Sequence, residues 1–165
     1  MTHIKLKAIA CLAMAIFCLQ GIKAQDGFSR TATEIVTDMA PGWNLGNTFE
    51  ATTSWTGGAL WNNKGGLGAE TGWQGTKTTQ ALITYVKSLG FMSVRIPCAW
   101  AYGHISNASS YEIDAAWLAR VKEVVDYCIN EGLYVVLNDH WDGGWLEEHI
   151  KDNNANTIAS NKAIL

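Results

Sequence analysis

The sequence predicts an α/β fold: the first three βα units of a (β/α)8 TIM barrel, incomplete at 165 residues. Three observations carry that prediction. Two helix-glycine-strand phrases follow one another, and neighbouring strands joined by a helical crossover pair in parallel. The strand segments are near-continuous apolar runs, Val94 and Ile96 in one and Val135, Val136 and Leu137 in the next, as strands covered on both faces require. Polar residues collect at the strands' carboxyl ends, Asn44 and Asn47, Arg95, then Asn138 and His140, where barrels carry their sites. A doubly wound open sheet satisfies the first two observations equally well, and the third favours the barrel. A closed barrel usually takes about 250 residues, so the chain is expected to hold only the opening units.

The elements follow in order. Lys5 and Lys7, an apolar run from Ala8 to Leu19, and Gly21-Ile22-Lys23-Ala24 ahead of Gln25 have the layout of a secretory signal peptide, residues 1–24. The run falls short of the roughly twenty residues of a spanning helix. Export to the extracellular or periplasmic space is expected, with no membrane attachment after cleavage, and Phe17 ahead of Cys18 disfavours lipidation. Residues 25–165 are expected to form one domain. Ser29 is placed to cap a short helix running to Met39, with Ile35, Val36 and Met39 on one side and Pro41-Gly42 at its end. A strand starts near Trp43.

From Thr52 to Gly75, Thr, Gly, Asn and Trp dominate without a period, which reads as a long loop of the kind that usually carries function. Thr78 is placed to cap the next helix, with Leu82, Val86 and Leu89 facing inward and Gly90 as its left-handed end. Phe91 to Pro97 is the strand that follows. Asp114 opens a further helix with Trp117, Val121, Val124, Val125 and Cys128 inward. Gly132 closes it, and Leu133 to Asn138 is the next strand.

Composition excludes several classes of function. The net charge is −3 and the twelve Lys and Arg are scattered, so no basic stripe invites nucleic acid. No glycine-rich phosphate motif stands at a strand-to-helix turn, which removes the nucleotide-binding alternative. Cys11 and Cys18 leave with the signal peptide, and Cys98 and Cys128 are expected to be buried free thiols. Asp139, His140 and Asp142 are not expected to hold a metal, because adjacent strand residues face opposite sides and no third ligand is well placed. No cofactor is expected. All eight tryptophans lie after residue 24, and only Trp117 sits on an obvious core-facing stripe. Flat aromatic faces suit sugar rings while Asn, Arg and Asp bond the hydroxyls around them, so the group points to a carbohydrate cleft.

Four motifs in order make the pattern specific: Gly42-Trp43-Asn44-Leu45-Gly46-Asn47-Thr48-Phe49-Glu50-Ala51; Glu70-Thr71-Gly72-Trp73 with Thr78-Thr79; Ser93-Val94-Arg95-Ile96-Pro97; and Leu137-Asn138-Asp139-His140-Trp141-Asp142-Gly143-Gly144-Trp145. Together they resemble glycoside hydrolase family 5, the cellulase family. The resemblance implies a (β/α)8 barrel and retaining, endoglucanase-like cleavage of a β-linked plant polysaccharide. In that chemistry one glutamate protonates the leaving oxygen and a second attacks the sugar from about 5–5.5 Å away. On the family pattern these glutamates end the fourth and seventh strands and are expected beyond Leu165, so residues 25–165 would be the amino-terminal part of the catalytic barrel.

Arg95 matches the family arginine at the end of the second strand, which would hold the nucleophile ionised and oriented. His140 matches the first of two neighbouring family histidines, a hydrogen-bonding partner for substrate. Trp141 replaces the second, a departure that keeps an aromatic platform and leaves the subfamily, and with it the preferred glycan, undetermined by the resemblance. Asn44 and Asn47 fall where the first strand's end would meet sugar, although Asn beside Gly serves a turn equally well. Glu50, Glu70, Glu147 and Glu148 are not expected to be the catalytic pair. The competing class is a secreted carbohydrate-binding protein without catalysis. By itself the 165-residue chain is expected to show no turnover and, with open sheet edges, to aggregate or fold only in part.

Overall fold

The computed structural model describes residues 29–51, 65–107, 109–144, 158 and 162. The expected signal peptide lies outside the described residues, as do Trp55, Trp61 and Trp145. The chain divides into two compact units, Met1–Ile35 and Val36–Leu165. Among the described residues no helix is long and apolar enough to cross a membrane.

Helix α1, Ala32–Asp38, starts two residues later than Ser29 would place it. The Thr31 hydroxyl accepts the Glu34 N–H at 3.3 Å, and the Glu34 carboxylate accepts the Thr31 N–H at 2.7 Å. This reciprocal pairing of Ser/Thr with Glu three residues on satisfies two orphan donors at once, and Ser29 has no such partner three places ahead. The expected apolar side is not buried: α1 has no buried residue and Val36 is exposed.

A three-stranded parallel sheet forms in the order β1 (Gly42–Asn44), β2 (Ser93–Cys98), β5 (Tyr134–Asp139). The crossovers run through α2 (Gln80–Ser88) and α3 (Ala115–Asn130). Thr79 rather than Thr78 caps α2, its hydroxyl accepting the Leu82 N–H, while the Thr78 N–H donates to the Glu70 carboxylate and the Thr78 carbonyl accepts from Arg120, two bonds that hold Thr78 ahead of the helix. The inward residues of α2 are Ile83 and Val86, while Leu82 and Leu89 are exposed. Of the expected stripe Val86 is inward, and Ile83 takes the place of Leu82. Asp114 caps α3 through the Trp117 N–H, and Trp117, Val121, Val124 and Cys128 are buried along it. Both helices end as expected on left-handed glycines, Gly90 at φ 91° and Gly132 at φ 66°.

The core lies between this sheet and the two helices. Val94, Ile96 and Cys98 of β2 pack with Ile83, Val86, Trp117, Val121, Val124 and Cys128. In-register neighbours on parallel strands point the same way, so Trp43, Val94 and Val135 share the helix-facing side while Asn44, Arg95 and Val136 share the other. The expectation that β5 is covered on both faces fails among the described residues: Val136 and Leu137 are 38% and 44% exposed. A short antiparallel pair, β3 (Ile105–Asn107) with β4 (Glu112–Ile113), interrupts the second crossover and was not foreseen in the sequence.

Candidate functional site

The site grows from the carboxyl ends of the three parallel strands. Arg95 sits mid-way along β2 on the face away from the helices, level with Asn44. One arm of its guanidinium donates to Asn44 Oδ1 at 2.7 Å, and the other lies 3.0 Å from Nδ1 of His140. A guanidinium only donates, so Nδ1 is the acceptor and the imidazole proton resides on Nε2. The backbone N–H of His140 donates to the Cys98 carbonyl at 2.9 Å, extending the β2–β5 ladder by one step and fixing the ring's origin.

The turn after β1 is built around Glu50. Its carboxylate accepts the N–H groups of Asn47 at 2.5 Å and Thr48 at 2.9 Å. Asn47 is left-handed at φ 58°, a conformation that Asn tolerates better than most residues, so it serves the turn and faces the site together. Gln74 donates its amide to the Gly46 carbonyl and to the Thr48 hydroxyl, tying this turn to the segment that carries Trp73.

After β5 the chain reverses sharply. The Asp142 N–H donates to the His140 carbonyl at 2.6 Å across Trp141, and Trp141, Asp142, Gly143 and Gly144 all have positive φ, 55°, 46°, 74° and 77°. For the two non-glycine residues this conformation costs roughly 1–2 kcal/mol each. The buried Asp142 carboxylate offsets it by accepting three consecutive backbone N–H groups, Trp100 at 3.0 Å, Ala101 at 2.7 Å and Tyr102 at 2.7 Å. Burial pushes the Asp142 carboxyl up to about 6, the three donors acting against it, so it is ionised at neutral pH.

These turns enclose a pocket of about 240 Å³ lined by Asn47, Glu50, Trp73, His140 and Trp141. Two half-exposed indoles flank it, and the Trp141 ring also lies 5.9 Å from that of Tyr102, tilted by 50°. Such a surface offers apolar plates for ring faces with amide, carboxylate and imidazole groups between them.

The remaining conspicuous polar groups serve the fold. Glu70 is fully buried and accepts from Nε and one terminal nitrogen of Arg120, at 2.8 and 2.7 Å, besides the Thr78 N–H at 2.8 Å, while the other terminal nitrogen donates to Glu123 at 2.6 Å. Burial raises its pKa, but these donors outweigh it and hold the carboxyl below its ordinary value. His104 stacks flat on Trp117 at 3.7 Å, its Nδ1 buried without a hydrogen-bond partner, and burial pulls its pKa down to about 4. Cys98 and Cys128 are free and buried, as expected; burial pushes both thiols up, that of Cys128 to about 11, so neither is a nucleophile at neutral pH. Among the described residues no group of three His, Cys, Asp or Glu side chains is gathered to hold a metal ion.

Of the residues singled out in the sequence, Asn47, His140 and Trp141 meet in the pocket. Arg95 and Asn44 do not line it and connect to it through His140. Sequence reasoning set Glu50 aside and overlooked Gln74 and the Asp142 clasp; the spacing Asn47-Thr48-Phe49-Glu50, typical of a carboxylate closing a turn, was the available signal for the first.

Comparison with known proteins places this geometry. The sequence profile described as cellulase (glycosyl hydrolase family 5) matches residues 49–164. Endoglucanase A of Paenibacillus barcinonensis is 40% identical over 92% of this chain and 36% of its own length. The structure of XEG5B, a xyloglucan-specific β-1,4-glucanase from a ruminal metagenomic library, in complex with XXLG, superposes with a TM-score of 0.64 at 49% identity, covering 82% of this chain and 34% of that one. A broad-specificity endoglucanase from Ruminococcus champanellensis with bound cellotriose superposes at 0.62 and 42% identity over 72% of this chain and 33% of its own. The chain therefore spans about a third of the proteins it resembles. With the parallel strand order, the profile match over more than half of the chain and the relatives in agreement, the chain belongs to the cellulase family, glycosyl hydrolase family 5.

Proposed function

We propose that the pocket between Trp73 and Trp141 is part of the substrate cleft of a secreted, retaining endo-β-1,4-glucanase, and that these residues hold and orient a β-linked glucan. The observation that carries the reading is the convergence of Asn47, Glu50 and His140 between two half-exposed indoles at the ends of parallel strands. Relatives that share this part of the fold bind XXLG and cellotriose, which supports a glucan backbone as the ligand. The basic flank, short apolar run and small residues of positions 1–24 support export.

Within this chain the pocket binds rather than cleaves. Glu50 is committed to two backbone N–H groups and Glu70 to Arg120, which leaves neither as a free acid or nucleophile. The 165-residue chain alone is thus expected to release no reducing sugar. Calorimetric titration with cellotetraose and with a xyloglucan oligosaccharide tests the reading. Binding that weakens at least about tenfold in Trp141→Ala is expected, the loss of one ring-stacking contact, whereas binding to neither glycan, or binding untouched by the substitution, would sink it. A protein that carries this cleft together with the two glutamates of the family pattern should cleave β-glucan, whereas a purely carbohydrate-binding protein should not, which separates the two functional classes.

A further inference from the structure

We propose that Asp142 is a positioning residue of the sugar cleft: by collecting the N–H groups of Trp100, Ala101 and Tyr102 it locks the turn after β5 onto the loop after β2, and so sets the rings of Trp141 and Tyr102 as one stacking face. The proposal rests on the reading of the pocket as a sugar cleft.

Three features of the structure lead to it. Four successive residues, Trp141 to Gly144, are left-handed although only the last two are glycines, so something holds Trp141 and Asp142 where free chain would not go. What holds them is specific, because a buried carboxylate fills a concavity of three consecutive N–H groups that belong to a loop some forty positions earlier. And what is held is not core. The Trp141 ring remains 45% exposed, lines the pocket and leans on Tyr102, so the clasp spends its geometry on presenting an indole rather than burying one. Asparagine reproduces the shape of Asp142 but not its acceptors. Its amide nitrogen would face the N–H of Ala101 or, flipped, those of Trp100 and Tyr102, donor against donor in either case.

The test uses the full chain labelled with 5-fluorotryptophan, the Trp141 fluorine signal being assigned with Trp141→Phe. In the unsubstituted protein the amides of Trp100, Ala101 and Tyr102 should resist hydrogen exchange as the β2 amides do, and cellotetraose should shift the Trp141 signal. In Asp142→Asn the Trp141 signal should move while that of core Trp117 stays, and cellotetraose affinity should fall about tenfold as the pocket loses its preorganisation. Should Asp142→Asn disturb the fold, which a moved Trp117 signal reports, Asp142→Glu keeps the charge and both acceptors but carries them one methylene too far to fill the concavity, so the Trp141 signal should again move and the affinity fall while the Trp117 signal stays. Rapid exchange of the three amides, or a Trp141 signal and affinity unchanged in the variant, would overturn the proposal. An unsubstituted protein that ignores cellotetraose overturns the sugar-cleft reading itself, and the assigned role with it, even where the amides are protected.

Discussion

Arg95 and His140, one on β2 and the other just past β5, meet at 3.0 Å through a guanidinium arm and the imidazole Nδ1. The same guanidinium holds Asn44 Oδ1 at 2.7 Å, so a single side chain ties all three parallel strands together. The lone pair at Nδ1 is spent on this bond. What His140 presents to the pocket is therefore the Nε2 proton, a donor suited to a sugar hydroxyl.

Nitrogen-15 spectra of the imidazole should show His140 in the Nε2–H form, and Arg95→Lys should loosen both it and Asn44, because an ammonium lacks the planar fork that reaches two acceptors. A proton found on Nδ1 at neutral pH would contradict the arrangement.

Gly46 is predicted to be required by its neighbour. A Cβ there would stand 2.6 Å from Asn44 Nδ2, and that amide is not free to swing away because its oxygen is bound by Arg95. Gly46→Ala should break the Asn44–Arg95 bond and cost about 1.5–3 kcal/mol, the worth of a hydrogen bond to a charged group. Retained stability and an unmoved Asn44 side-chain resonance would show the crowding to be harmless.

The Glu70–Arg120 pair should be more sensitive to losing one partner than both. Glu70→Ala strips the half of the guanidinium that faces the interior of its carboxylate while Glu123 still holds the other nitrogen at 2.6 Å, and should destabilise by about 1.5–3 kcal/mol, while Glu70→Leu with Arg120→Met should cost less. Since the folded state holds the Glu70 carboxyl below its ordinary value, this stabilisation is present above about pH 4.5 and is lost as pH falls below it. Denaturant titrations of the three variants decide the point.

His104 sets a second, higher acid window. Its folded pKa of about 4 lies below the ordinary 6.5, so the unfolded chain binds more protons between those values and stability must rise with pH across that range. The full effect, on the order of 3 kcal/mol, is present above about pH 6.5 and is lost progressively as pH falls toward 4. His104→Phe keeps a flat ring on Trp117 and should flatten the profile between pH 4 and 6.5. Parallel profiles for the two proteins would remove His104 from the account.

The parts of this molecule governed by periodicity and by glycine chemistry were legible in the sequence. Gly90 and Gly132 mark the helix ends because few other residues accept their backbone angles, and Trp117, Val121, Val124 and Cys128 recur at helical spacing. Features decided by distant contacts were not. Thr78 and Thr79 are equally good caps until Glu70 and Arg120 hold one of them ahead of the helix. The β3–β4 pair is two and three residues long, too short to show a period, and exists through its pairing. At the site, Arg95 and His140 were visible as polar residues in or after apolar runs, although Arg95 sits in mid-strand and not at the carboxyl end expected for it, because β2 runs on through Cys98. Their mutual contact, the pocket wall from Glu50 and the Asp142 clasp each need loops closed over tens of residues.

Because Gly132 stands two residues ahead of Tyr134, the helix end acts as a phase-setter for everything downstream. Deleting Leu133 would shift β5 by one position against β2 and invert which side chains look inward, presenting Trp141 to Arg95 where the imidazole now stands. The spacer between that glycine and the strand carries no functional group, yet it determines which chemistry reaches the mouth of the cleft.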